Sequence, residues 1–258
     1  MDLRWRRARS ILAVRLDGIG DLLMTTPALR ALKEEHPRRS LTLLTSPAGA
    51  IAARELPFVD DVIMFTAPWM KPAETSPVPP TATQSLVEQL RERAFDAAIV
   101  FTVFTQSALP SATLLHLAGI PCRAAYSREN PYALLTHWRA DPDRDAYAGV
   151  RHEVQRQIDL VQSLGTRVRD TRLAFPVRDD ARRSMLARAA AAGMESDRAW
   201  LIVHPGATAA SRRYPHDRLA DAVGRLQKRG RWQIAIAGAD EDRDCAHRIA
   251  ASVKTSSC

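Results

Sequence analysis

The chain has 258 residues, of which 46% are hydrophobic and 26% charged, and its formal net charge is +8. This composition is that of a globular protein with one large or two small domains, and it excludes a fibrous or low-complexity chain. No apolar run approaches the roughly 20 residues that a membrane-spanning helix needs. The positive charge suits an acidic substrate, a phosphate-rich partner or an anionic surface, and does not choose among them.

The three cysteines, Cys122, Cys245 and Cys258, are scattered and lack C-x-x-C spacing. They therefore indicate neither a disulfide framework nor a zinc site. The apolar run that begins at Ile11 is too short and too interrupted for a signal peptide. We expect a reducing, cytoplasmic setting.

Short β-rich runs alternate with longer helical patterns from Ile11 onward, which is typical of a parallel sheet covered by helices. The predicted strands of the first half are 11–16, 41–45, 61–65 and 97–101, with another after Gly119. The predicted helices are 21–35, one after Pro47, 84–93 and 111–118. Five prolines between Ala67 and Pro80 predict a surface loop. Residues 127–149 look irregular and charged. The first half is predicted to form a doubly wound domain.

A helix over 150–164 precedes the expected link between domains, so we divide the chain into domains 1–172 and 173–258. The second domain is predicted from helices at 179–192 and 215–229 and strands at 199–203 and 232–237. Two parallel strands are a poor core on their own. The sequence thus predicts an α/β fold in which a doubly wound domain is followed by a second α/β unit with only two strands.

The turn after the first strand contains Gly18 and Gly20, the first two glycines of a dinucleotide fingerprint, but Leu23 stands at the third position. Asp21 opens the next helix at the sheet edge where open α/β proteins bind ligands. It is either a helix cap, which its spacing alone favours, or a general base exposed to a cleft. Asp17 is the nearby rival for either role.

Three blocks of sequence resemble glycosyltransferase family 9, the lipopolysaccharide heptosyltransferases. Residues 15–32, RLDGIGDLLMTTPALRAL, resemble the family's N-terminal signature, and residues 55–63, ELPFVDDVI, resemble the segment before its third strand. Residues 203–208, VHPGAT, with SRRYP at 211–215, are similar to its donor-site loop. The resemblance implies the α/β GT-B fold of two Rossmann-like doubly wound domains, of which we expect the second to be incomplete. It also implies an acceptor site on the first domain, a nucleotide-sugar site on the second, and no metal or other cofactor.

The same resemblance assigns roles to residues. It implies that Asp21 is the catalytic base of an inverting transfer, which reverses the preference for a cap, and that Asp17, Gly18 and Gly20 form the acceptor-site turn. On the donor side it implies backbone and hydroxyl donors and an acidic residue that accepts from a ribose hydroxyl. These donor-side residues are Gly206, Ala207, Thr208, Arg212, where the family often has Lys, and Asp240.

The implied partners are a nucleotide-sugar donor, with ADP-heptose first, and a lipopolysaccharide core or similar glycolipid acceptor, with no nucleic acid. The N-terminal arginines face either an anionic lipid surface, as in a protein peripheral to the inner membrane, or water. These arginines are Arg4, Arg6, Arg7 and Arg9.

The family's later Asp-(Ser/Thr)-Gly-Pro segment does not occur, so we expect a chain truncated at its C-terminus. Two alternatives are a non-catalytic glycan-binding remnant and a nicotinamide-dependent oxidoreductase, the latter disfavoured by Leu23.

Overall fold

The computed structural model describes residues 3–36, 38–70, 77–141, 151–207 and 209–255. The chain divides into two compact units, residues 1–176 and 177–258. Within the described ranges, no helix combines the length and the apolar character needed to cross a membrane.

The first unit is built on a six-stranded parallel sheet with the order β3-β2-β1-β4-β5-β6. Its strands are β1 Ser10–Arg15, β2 Ser40–Thr45, β3 Asp61–Met64, β4 Ala97–Val100, β5 Cys122–Ser127 and β6 His137–Ala140. The order reverses direction between β1 and β4, as it does in doubly wound sheets. The predicted doubly wound fold of this half is confirmed.

Helices cover both faces of this sheet. They are α1 Leu3–Arg7, α2 Ile19–Glu34, α3 Pro47–Ala53, α4 Pro80–Glu92, α5 Leu109–Leu117 and α6 Glu153–Ser163. Side chains alternate along a strand, so Ile11 and Ala13 of β1 pack into one core with α2 and α6, while Leu12 and Val14 pack into the other with α4 and α5. A buried core therefore lies on each side of β1.

Helix α1 was not predicted, and β6 and the start of α4 also differ from the sequence prediction. Strand β6 lies inside the segment predicted to be irregular. It is an edge strand in which Trp138, Arg139 and Ala140 are exposed, so it has no apolar run to reveal it. Pro80 was assigned to the proline-rich loop, but it is the first residue of α4. Proline is favoured at that position because its missing N–H would have no helical partner there.

Helix α2, which begins directly after the turn that follows β1, has Pro27 in its interior. Proline has no N–H to donate to the carbonyl of Leu23, and the Thr26 hydroxyl donates to that carbonyl instead, at 2.6 Å. The same hydroxyl accepts from the backbone N–H of Ala174 at 2.9 Å. The Thr26 hydroxyl thus satisfies the carbonyl that Pro27 leaves without a helical donor, and it also holds the end of the first unit against α2.

The second unit contains one parallel pair of strands within its described residues. Its elements are α7 Asp179–Ala191, β7 Trp200–Val203, α8 His216–Lys228, β8 Gln233–Ile236 and α9 Arg243–Thr255. Val223 and Ile249 form the fully buried centre of its hydrophobic cluster. Helix α9 was not predicted, because its last turns are polar in sequence. The unit has the predicted βα alternation around a small core.

Candidate functional site

The turn between β1 and α2 carries the predicted acceptor-side residues. Gly18 is the N-cap of α2, in extended conformation and without a side-chain cap, and Asp21 lies in the first turn. The interpretation of Asp21 as the helix cap is therefore wrong. A β-carbon built at Gly18 or Gly20 would meet no atom within 4 Å, so the fold leaves the space above this turn open.

Arg15, the last residue of β1, is completely buried next to this turn. Its Nη2 atom lies 3.4 Å from Oδ1 of Asp21, and its Nε atom lies 2.9 Å from Oδ2 of Asp17. The Nε–Oδ2 approach is close enough for an ion pair, but neither atom has a hydrogen-bond partner among the described residues. The contact with Asp17 is therefore electrostatic, without an aligned hydrogen bond.

Asp17 is buried, and its second oxygen accepts a hydrogen bond from Nε2 of Gln106, in the loop after β4. Burial raises the pKa of the Asp17 carboxyl above its ordinary value, since the charged form loses its hydration. Arg15 and Gln106 oppose this shift, whereas the nearby carboxylates of Asp21 and Glu153 add to it. Asp17 is thus held between the guanidinium of Arg15, which it contacts electrostatically, and the amide of Gln106, which donates a hydrogen bond to it.

A cavity of about 270 Å³ opens beside Asp17. It lies at the carboxyl ends of β1 and β4, where the strand order reverses and where open α/β sheets bind ligands. Its wall combines the rings of Trp69 and Phe101 with the polar side chains of Thr102 and Gln106. Aromatic faces with a few hydroxyl and amide groups are suited to a sugar, which presents apolar C–H faces and hydroxyl edges.

Most of the predicted donor-side residues of the second unit follow β7, whereas Asp240 follows β8. The carboxylate of Asp242 lies against Gly206, where a β-carbon would stand 2.2 Å from Oδ1, and against Gly238, where a β-carbon would stand 2.8 Å from Oδ2. Oδ2 also accepts from the backbone N–H of Ala239 at 3.0 Å. Asp242 therefore joins the loops that follow β7 and β8.

The remaining donor-side residues are arranged unequally. Arg213 donates from Nε to the carbonyl of Ala207 at 2.7 Å, whereas Arg212 is exposed and has no ion pair within the described ranges. Asp240 has a side chain 93% exposed and pairs with Arg243. Thr208 lies outside the described residues. The geometry thus leaves Arg212 available to an anionic ligand and places Asp242, rather than Asp240, against the loop.

Among the residues that the structure describes, no three His, Cys, Asp or Glu side chains form a group that could hold a metal ion. The carboxylates of Asp17, Asp21 and Glu153 around Arg15 therefore do not form such a group.

A family model decides the identity of the chain. Residues 83–258 match the model described as glycosyltransferase family 9 (heptosyltransferase). The chain belongs to glycosyltransferase family 9. The α/β fold agrees with the structure of a family 9 glycosyl transferase from Veillonella parvula DSM 2008, with a TM-score of 0.74 at 18% identity over 94% of this chain and 66% of that one.

Two further solved structures share the family 9 fold. The ADP-heptose lps heptosyltransferase II of E. coli matches with a TM-score of 0.69 at 20% identity, over 94% of this chain and 68% of that one. The E. coli heptosyltransferase WaaC with ADP-2-deoxy-2-fluoro heptose matches with a TM-score of 0.67 at 19% identity, over 93% of this chain and 73% of that one. This chain therefore spans about two thirds of the length of the solved family members that it matches.

A Haemophilus influenzae protein provisionally named as a glycosyltransferase is 32% identical over 91 residues, which is 35% of this chain and 24% of that protein. The recognised resemblance to family 9 is confirmed by the family model, and the GT-B-like α/β fold by the solved structures.

Sequence reasoning missed Arg15, Gln106 and Glu153 at the turn of the first unit, and Asp242 in the second unit. Arg15 had a visible signal, since a charged residue ends an otherwise apolar strand directly before the glycine turn. Gln106 and Glu153 carry no local signal, because they meet the turn only through the fold. For the acidic donor-side residue, the resemblance points to Asp240, which lies two residues before Asp242 and nearer the strand.

Proposed function

We propose that this family 9 protein is an inverting glycosyltransferase that transfers a heptose or related sugar from ADP-heptose or a similar nucleotide sugar to a lipopolysaccharide core or related glycan. The observation that carries the proposal is the position of the Asp21 carboxylate, whose side chain is 33% exposed. It sits at the carboxyl edge of the sheet, next to open space above the turn, and it is not used to cap its own helix.

In the proposed reaction, Asp21 accepts the proton of the acceptor hydroxyl while that oxygen attacks the anomeric carbon of the donor. The bond between the anomeric carbon and the phosphate oxygen breaks, and the nucleoside diphosphate leaves with the bonding electrons. Attack from the side opposite the leaving group inverts the anomeric centre. The cavity beside Asp17 and Trp69 offers a place for the acceptor sugar.

The donor's phosphates belong, in this proposal, at the loop that contains Gly206 and Ala207. Backbone N–H groups of such a loop stabilise an anion, and the exposed guanidinium of Arg212 supplies the positive charge that the leaving diphosphate requires. The proposed transfer uses no metal ion or other cofactor. The observation that supports this placement of the phosphates is the exposed guanidinium of Arg212, which forms no ion pair with any residue that the structure describes.

An anionic membrane surface is proposed as the place where a lipid-linked acceptor is met. Arg6, Arg7 and Arg9 are exposed around α1, while the buried Trp5 anchors that helix to the first unit. Binding to vesicles that contain the anionic lipid phosphatidylglycerol should exceed binding to neutral phosphatidylcholine vesicles and should fall with salt. Equal binding to both vesicle types would remove the membrane from the proposal.

The experiment that tests the function combines ligand titration with a transfer assay. ADP should bind by calorimetry and NADH should not, which separates the transferase from the oxidoreductase alternative. Incubation with ADP-heptose and a panel of core oligosaccharides should add one heptose by mass spectrometry, at a rate that EDTA leaves unchanged. If neither ADP nor ADP-heptose binds and no acceptor is extended, this chain does not perform the proposed reaction.

A further inference from the structure

Arg15 occupies the centre of a group of three carboxylates. Asp17 and Asp21 are two of them, and Glu153, the first residue of α6, is the third. The Nη1 and Nη2 atoms of Arg15 both lie 3.2 Å from Oε1 of Glu153. The Arg15 side chain is completely inaccessible, whereas the side chain of Asp21 is 33% exposed. A cation without access to water must be neutralised by its surroundings, so the position of Arg15 depends on these carboxylates.

The three carboxylates differ in how else they are held. Asp17 accepts from Gln106, and Glu153 accepts from Nε2 of Gln157, one turn later on α6. The carboxylate of Asp21 has no partner besides Arg15 in the part of the chain that the structure describes. Asp17 and Glu153 would therefore stay in place without the arginine, whereas Asp21 would lose its one fixed contact.

The clamp on the other side of Arg15 comes from a distant part of the chain. Oε1 of Glu153 accepts from both terminal nitrogens of the guanidinium, which fixes the plane of that group. Gln157 then fixes Glu153. Arginine suits this place because its planar, permanently charged group presents N–H donors in fixed directions along several edges, whereas the ammonium of lysine is a compact charge on a flexible stem.

We propose that Arg15 is the positioning residue of the transfer reaction: clamped by Glu153 and Gln157, its guanidinium holds the Asp21 carboxylate in the one orientation from which it can accept the acceptor's proton. This inference rests on the proposed role of Asp21. Arg15 touches neither substrate in this scheme, and it acts through Asp21 alone.

The orientation of Asp21 can be measured without any substrate. Three-bond couplings that report χ1 of Asp21, recorded on protein with labelled aspartate and assigned with Asp21→Asn, should show one staggered rotamer in the wild type. In Arg15→Gln they should show averaging over several rotamers. Unchanged couplings in a folded Arg15→Gln protein would overturn the proposal.

A second variant protects the test if Arg15→Gln does not fold. Glu153→Ala removes the clamp on Arg15 from a partly exposed helix position and should give partial averaging of the Asp21 couplings. Asp159→Ala is the matched control, because Asp159 is also an α6 carboxylate paired with an arginine, Arg151, but has no contact with Arg15. Averaging as large in the control as in Glu153→Ala would show a general effect of α6 and contradict the proposal.

Kinetics supply the second readout. Arg15→Gln should lower kcat by about tenfold to a hundredfold, the cost of a misplaced catalytic group, while KM for the acceptor and affinity for ADP stay constant. Arg15→Lys should restore part of the loss. In an Asp21→Asn background the Arg15 substitution should cost little more, and an equal cost in both backgrounds would overturn the proposal. If the wild type transfers no sugar, the proposed function has failed, and the couplings still decide the role of Arg15.

Discussion

The carboxylate of Asp242 rests directly on the α-carbon of Gly206, so that a β-carbon at position 206 would stand 2.2 Å from Oδ1 and 2.3 Å from Oδ2. The two residues belong to loops after different strands, β7 and β8. A glycine at 206 is therefore required by the packing of the second unit as well as by any ligand that approaches the loop.

Gly206→Ala should displace the Asp242 carboxylate and break its bond to the Ala239 N–H. We expect a loss of about 0.5–2 kcal/mol in the unfolding free energy of the second unit, the cost of a lost helix cap, together with weaker ADP binding. Gly224→Ala is the matched control, because a β-carbon there meets no atom within 4 Å. Because Gly224 lies in the middle of α8, its replacement by alanine should raise the unfolding free energy by about 1 kcal/mol. Chemical denaturation of both variants checks these opposite signs, and equal midpoints would contradict the packing argument.

Asp21→Asn should reduce transfer by about 100-fold or more, because the amide keeps the size of the side chain but cannot take a proton. ADP affinity and the unfolding free energy should stay near those of the wild type, since Asp21 does not cap α2 and Asp17 and Glu153 still neutralise Arg15. Steady-state kinetics with a saturating donor give the result. A variant that keeps more than about a tenth of wild-type turnover would remove Asp21 as the base.

Arg212→Ala should weaken ADP binding by about 1–3 kcal/mol, the range for a hydrogen bond to a charged group. The loss should shrink as ionic strength rises, because salt screens an exposed guanidinium. Calorimetry at two salt concentrations measures both effects. Arg231→Ala provides the control, since it removes the same charge from an exposed position just before β8, at the strand end opposite the donor loop. Equal ADP affinities in the two variants would make Arg212 an ordinary surface residue.

Asp17 should make the protein's stability depend on pH in a definite direction. Burial raises the pKa of Asp17 in the folded state, so its contribution to stability is fully present below its ordinary value of 3.8 and is lost as pH rises through the folded pKa. Asp17→Asn, which cannot ionise, should therefore gain stability relative to the wild type as pH rises from acid to neutral. Urea titrations of both proteins across that range test the sign. A difference that is constant with pH would contradict it.

Backbone amides of the second unit should exchange with solvent faster than those of the first. Every residue of β1 after Ser10 is buried, whereas no residue of β7 or β8 is, and Ile202 is 66% exposed. Fewer buried apolar contacts lower the free energy of local opening. Hydrogen exchange followed by mass spectrometry should show early labelling of β7 and β8 and late labelling of β1 and β4. Equal protection of the two sheets would contradict this expectation.

The sequence by itself determined the elements whose evidence is local. Apolar runs of four to six residues separated by helical patterns gave the strands and most of the helices, and the glycine turn placed Asp21 at the carboxyl edge of the sheet. These features follow from the periodicity of neighbouring side chains and from the conformations that glycine allows. Elements without such periodicity, such as the edge strand β6, were not found.

Tertiary structure alone decided which side chains meet at the turn. Gln106 contacts Asp17 across 89 residues of sequence, and Glu153 contacts Arg15 across 138. Those contacts depend on β4 lying beside β1 and on α6 packing against α2. Strand order and helix packing are set by the burial of whole faces rather than by any local run of residues. The sequence could therefore name the carboxylate proposed as the base, whereas only the fold could show the buried arginine that holds it.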